Sequence, residues 1–176
     1  MIIPADGYHH PLSTLRTFPN PDDAIYRRGA PDTFDVPSLL RDVRRILLGD
    51  EDVVRVPGFD HSIGDPEPGA HAFVRDRHDL VLVEGLYLLH DGDGWGSDLY
   101  ELFDLRIFLN CDVDVCVDRL RVRNKCLPGY TAEEIDVRCE EVDRVNAVVV
   151  AGCGHRADVV VESAVASGCG GGNVNT

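Results

Sequence analysis

Apolar positions along this chain follow two patterns. The first has helical spacing. Leu39, Leu40, Val43, Ile46 and Leu47 share one face and predict a helix over 37–48, capped by Asp35 or Ser38 and ended by Gly49-Asp50. Val113, Cys116, Val117 and Leu120 predict a second over 112–124. Ile135, Cys139, Val142, Val145 and Val149 predict a third over 131–151, opened by capping-box spacing at Thr131-x-x-Glu134. The second pattern is a short, mostly apolar, strand-like stretch. Residues 1–4, 53–57, 79–85, 105–109 and 159–161 read this way. The runs at 79–85, 105–109 and 159–161 are apolar on both faces, as in a parallel sheet buried on both sides. Between 57 and 68, glycines and prolines read as a polar loop. Strands alternating with helices predict an α/β fold with right-handed crossovers.

Composition narrows the class. The 176 residues are 44% hydrophobic and 27% charged, which suits one globular domain with a core. Residues 1–163 read as that domain, and the Gly-rich 164–176 as a flexible tail. No apolar run approaches the roughly 20 residues of a membrane helix. The start lacks a basic stretch followed by an apolar one, so a cytoplasmic protein is expected. A net charge of −14 repels nucleic acid and anionic membranes, leaving phosphate binding to local arginine clusters. Six cysteines without C-x-x-C spacing read as reduced thiols rather than a disulfide framework or zinc site.

Candidate chemistry lies at the strand ends. Ligands of an open parallel sheet bind at the carboxyl ends of its strands, where Asp6 and Glu84 fall. Phosphoryl transfer to a hydroxyl uses a carboxylate to take the proton and acids to hold Mg²⁺. The competing interpretation is that Asp6 caps a helix and Glu84 pairs with an arginine. Arg119 and Arg123 project from one helical face, with Arg121 and Lys125 nearby, a fork suited to phosphate oxygens or simply a solvated face balancing Asp112, Asp114 and Asp118. Asp60-His61 and His9-His10 offer polar edges for a substrate hydroxyl; no metal-ligand spacing joins the histidines. Asn146 interrupts the apolar face of the last helix, and a buried amide needs a partner.

Several motifs occur in a family's order. Asp6-Gly7-Tyr8-His9, Arg28-Gly29-Ala30-Pro31-Asp32-Thr33-Phe34-Asp35, Pro57-Gly58-Phe59-Asp60-His61 followed by Asp65-Pro66, Val83-Glu84-Gly85 and Arg119-x-x-x-Arg123 together resemble the phosphoribulokinase/uridine kinase family of P-loop kinases, in its sugar-kinase-like, ATP-dependent branch. The resemblance implies a P-loop NTPase-like parallel sheet with flanking helices, and a kinase using ATP and Mg²⁺. The phosphoryl acceptor would be a nucleoside, sugar or similar hydroxyl compound. It implies Asp6 as general base, Glu84 near Mg²⁺, Arg119 and Arg123 on the transferring phosphoryl group, and Tyr8, His9, Arg28, Asp60 and His61 around the acceptor.

One departure is large. The Gly-x-x-x-x-Gly-Lys-[Ser/Thr] loop that wraps ATP phosphates does not occur in these 176 residues. The expectation is a kinase whose first βα unit is missing, from a longer protein or an incomplete gene copy. The alternative is a catalytically inactive pseudokinase that binds a metabolite or a partner protein. Because the family's first strand is central in its sheet, its absence predicts exposed edges, open to self-association.

Overall fold

The computed structural model describes residues 1–92, 94–125 and 130–164. In chain order the elements are β1 (Ile2–Pro4), α1 (Leu12–Leu15), α2 (Pro21–Tyr26), α3 (Val36–Leu48), β2 (Val53–Asp60), β3 (Asp65–Val74), β4 (Leu82–Glu84), α4 (Ser97–Tyr100), β5 (Ile107–Asn110), α5 (Val113–Asn124), α6 (Ala132–Arg138), α7 (Arg144–Gly152) and β6 (Val159–Glu162). A π-helical turn, Cys139–Asp143, joins α6 to α7.

Helix starts follow local chemistry. The Asp35 carboxylate accepts from the Ser38 N–H at 3.1 Å and opens α3. Asp112 accepts from the N–H groups of Asp114 and Val115 at 2.9 and 3.2 Å and opens α5. Thr131 and Glu134 close a reciprocal capping box on α6. The helix predicted over 131–151 is thus real, with an extra residue's width inserted by the π-helical turn.

The strands form three two-stranded sheets instead of one. β1 pairs with β4 in parallel, β5 with β6 in parallel, and β2 with β3 antiparallel. The last pair corrects the expected loop over 58–68. Pro57 falls where the register shifts between Val56 and Gly58, and Pro66 and Pro68 lie on β3, a strand with one free edge. A proline costs a ladder bond only where its N–H would face a partner. Loop composition therefore disguises a hairpin.

Burial on both faces, expected for the parallel strands, is not observed. Leu82 is 50% exposed, Ile107 49% and Leu109 69%. Burial of a strand face depends on what lies beside and over it, and among the described residues β4 and β5 each have one partner strand.

The main core gathers Leu39, Val43 and Ile46 of α3 with Val54, Val56 and Phe73 of the hairpin, Ile3 of β1, and Phe34, Tyr87 and Trp95. Phe34 meets Tyr87 and Trp95 edge-on at 5.7 and 5.5 Å. The polar tips of both partners are satisfied: Tyr87 donates to the Gly29 carbonyl at 2.8 Å and Trp95 to the Pro31 carbonyl at 3.1 Å. A smaller cluster joins Val117 of α5 to Ile135 and Cys139. Cys111, Cys116, Cys139 and Cys153 are free thiols; Cys126, Cys169 and the tail from residue 165 lie outside the described residues. Among the described residues no helix is long and apolar enough to cross a membrane.

Candidate active site

Two glycines let the strand ends converge. In the β1–β4 pair, Pro4 stands opposite Glu84. A 3₁₀ turn, Ala5–Tyr8, follows β1 directly and carries Asp6. A β-carbon on Gly7 would lie 2.6 Å from the Pro57 carbonyl oxygen, and one on Gly85 would lie 2.4 Å from the Ala5 β-carbon. Each acid is therefore neighboured by a glycine because the backbone beside it packs closer than any side chain allows. The two carboxylates feel each other. Glu84 is pushed above its ordinary pKa, first by loss of hydration and then by the Asp6 charge.

An aromatic wall stands beside Asp6. His9 lies against Phe34 at 4.0 Å and Phe59 at 5.3 Å. Its Nδ1 donates to the Asp6 carbonyl at 2.8 Å, which leaves Nε2 as an acceptor. Burial lowers the His9 pKa, and this outweighs the opposing pull of the Asp6 carbonyl and charge, so the ring is neutral. His61 approaches the Phe59 ring at 5.1 Å, and the Arg28 guanidinium lies over it at 5.5 Å.

Arg28 also closes the hairpin onto the start of the chain. It donates to Asp65 at 2.6 Å, to the His10 carbonyl at 3.0 Å and to the Gly64 carbonyl. Asp65 Oδ1 accepts in addition from the Leu12 N–H at 3.0 Å. Asp60 turns back on its own loop, accepting from the Ser62 N–H and hydroxyl at 2.8 and 2.6 Å, and these bonds hold its carboxyl below the ordinary range. Tyr8 points inward: it is buried, and its hydroxyl donates to Asp42 at 3.2 Å.

The structure thus gathers Asp6 and Glu84 at one sheet end, with His9, Arg28 and His61 around Phe59. Arg119 and Arg123 sit on α5. Arg119 donates to the Ser163 hydroxyl at 2.8 Å and the Ala164 carbonyl at 2.7 Å, and Arg123 donates to the Asn124 side-chain oxygen at 3.5 Å. Among the described residues no hydrogen bond or ion pair joins either arginine to Asp6 or Glu84. Sequence reasoning did not single out Phe34 and Phe59. The signal was present, since each is an aromatic directly before an aspartate, Asp35 or Asp60.

Glu84, with Asp6 on the turn after the neighbouring strand, would be the residue to hold a Mg²⁺ ion. Such ions take one or two carboxylates and complete their shell with water and substrate phosphates, and the Asp6 charge that raises the proton affinity of Glu84 would equally favour a cation there. The Gly-x-x-x-x-Gly-Lys-[Ser/Thr] motif does not occur in these 176 residues, and among the described residues Arg119 bonds Ser163 and Ala164.

Paired carboxylates at the ends of parallel strands, beside a hairpin wall, are a kinase-like arrangement. The chain belongs to the phosphoribulokinase / uridine kinase family, whose model matches residues 23–168. It is 38% identical over 135 residues to the ATP-dependent kinase-like protein notR' of Aspergillus versicolor, covering 73% of this chain and 77% of that one. It is 35% identical over 152 residues to a proposed uridine kinase of Schizosaccharomyces pombe, covering 85% of this chain and 63% of that one. The chain therefore spans less than two thirds of the fission-yeast relative. Among solved structures, a proposed fructose transport system kinase from Silicibacter sp. TM1040 matches with a TM-score of 0.78 at 27% identity, over 92% of this chain and 74% of that one. The fold is that of P-loop kinases, and the family is one of ATP-dependent kinases.

Proposed function

We propose that the chain carries the acceptor half of an ATP-dependent small-molecule kinase, one that phosphorylates a hydroxyl of a nucleoside, sugar or similar metabolite. The observation that supports this is the pairing of Asp6 and Glu84 at adjacent strand ends, beside the wall of His9, Phe59 and Arg28. Asp6 takes the proton from the acceptor hydroxyl. Glu84 holds Mg²⁺ directly or through water. When bound, the ion neutralises charge on the phosphates. Neutral His9 accepts from a second acceptor hydroxyl through Nε2, and His61 and Asp60 bound the hairpin side of the pocket. Arg119 and Arg123 are assigned to the transferring phosphoryl group by family resemblance.

The test is turnover of ATP with a panel of hydroxyl acceptors, using the longest form of the protein its source produces. Asp6→Asn lowers kcat by about 10²–10⁴-fold, the usual worth of a general base, while acceptor binding persists. Unchanged turnover removes Asp6 from the reaction.

A second reading, a metabolite- or partner-binding pseudokinase, is supported by edges of β4 and β5 that pair with no strand among the described residues. Calorimetric titration of residues 1–176 with Mg-ATP decides between them: tight binding ends the pseudokinase reading. No heat from this chain, with turnover restored in a longer form, places the phosphate loop outside these residues.

A further inference from the structure

A cavity of about 260 Å³ lies between the turn after α2 and the α6–α7 stretch, and it shares no lining residue with the carboxylate pair. Pro31 lines one side, and Val142, Val145 and Val149 line the other. Asn146 also lines it. This residue is 8% exposed, and its carboxamide makes no hydrogen bond among the described residues. Its amide atoms are not sealed in the core but lie at the cavity wall, at a place in the helix where an apolar residue would serve packing alone. The amide borders open space, so its partner is something that enters the cavity.

Two further features fit a built pocket. The π-helical turn Cys139–Asp143 widens the helix where Glu141 and Val142 reach the cavity, and such turns recur at functional sites. The opposite wall is fixed from behind by the Tyr87 and Trp95 bonds to the Gly29 and Pro31 carbonyls. Charge then selects the ligand. Arg27 is taken up by Asp32, at 2.9 and 3.1 Å, and by Asp23 at 2.8 Å. Asp32 and Glu141 add negative charge to a lining whose remaining titratable group, after Arg27, is the His90 imidazole, which disfavours anions.

We infer that this cavity binds a small neutral heterocycle or amide, whose adjacent donor and acceptor pair with the donor and acceptor of the Asn146 carboxamide while its ring lies on Pro31 and the three valines. A nucleobase edge, a lactam and a primary amide share this chemistry. The inference goes beyond the proposed kinase reaction and does not rest on it.

Nicotinamide, uracil and adenine, titrated into the nitrogen-labelled full chain, test it by NMR. At least one shifts the Asn146 side-chain amide resonances saturably, and nicotinate, which carries a negative charge, does not. Asn146→Leu weakens binding roughly tenfold or more, the effect of losing a buried hydrogen bond. Val145→Trp, at a position 56% exposed in the native chain, plugs the cavity without disturbing the core and keeps the test decisive if Asn146→Leu fails to fold. The inference is overturned if none of the three probes shifts Asn146. It is equally overturned if nicotinate binds as well as nicotinamide, or if either folded variant binds with native affinity.

Discussion

A β-carbon on Gly85 would stand 2.4 Å from that of Ala5. No pair of side-chain carbons tolerates this separation, so the end of β4 meets the turn after β1 through bare backbone. That contact draws Glu84 and Asp6 together. Gly85→Ala forces the two strands apart and, as an overpacking change, costs about 1–3 kcal/mol. Urea denaturation measures the loss. In the same variant Glu84 titrates closer to its ordinary pKa, because Asp6 has moved away.

The raised Glu84 pKa gives a second expectation with a definite sign. The folded state holds the Glu84 proton more tightly than the unfolded chain does. Ionised Glu84 therefore subtracts from stability above its folded-state pKa, and the penalty vanishes as pH falls below the unfolded value. Glu84→Gln raises the urea midpoint slightly at neutral pH, where the group is partly hydrated, and leaves it unchanged well below the carboxylate range. Asp6→Asn lowers the Glu84 titration midpoint seen by carbon NMR. An unmoved midpoint would show that the two acids do not interact.

Local chemistry made α3, α5 and the α6–α7 stretch legible, while the short helices α1, α2 and α4 carry no such periodic signal. The caps at Asp35, Asp112 and Thr131 act over three or four residues, and the sequence carries all of that information. The same holds for Asp6 and Glu84 as strand-end acids, since each follows an apolar run. Three features were not legible, because each depends on distant residues. The β2–β3 hairpin is written in loop-forming residues, with Pro57 at a register shift and Pro66 paired with Phe59. The exposure of Leu82 and Leu109 reflects what is not beside them. The bracket of Phe34 and Phe59 around His9 joins residues 25 or more positions apart, and no local period encodes it.

His9 supplies the third expectation. Its pKa is lowered first by burial, with Arg28 and His10 adding to the effect. The unfolded chain, with a histidine pKa of about 6.5, then binds the proton more readily than the native state. Stability is full above that value and declines as pH falls towards the folded-state pKa of His9. NMR titration of the ring finds a midpoint below that of a free histidine. His9→Phe, which keeps the stacking and removes the titration, flattens the pH slope in this window. A slope of native steepness in His9→Phe would assign the effect to another group.

Arg28 and Asp65 carry the last expectation. The Arg28 side chain is 13% exposed, and three of its contacts converge on two segments: Asp65 and the Gly64 carbonyl in the hairpin, and the His10 carbonyl near the chain start. The planar fork makes all three bonds while its face lies over Phe59. Lysine keeps the charge but loses the fork and the stacked face. Arg28→Lys therefore costs about 1–3 kcal/mol, the range for one or two lost charge-assisted bonds in a half-buried setting. The companion Asp65→Asn leaves the Leu12 N–H an oxygen to bond but removes the ion pair. In a double-mutant cycle the two changes are less than additive, by about 0.5–3 kcal/mol. The hairpin wall then loosens around Phe59 and His9, so KM for the acceptor rises more than kcat falls. Additive losses would mean that the arginine acts through the two carbonyls alone, and that Asp65 serves mainly to hold the Leu12 amide.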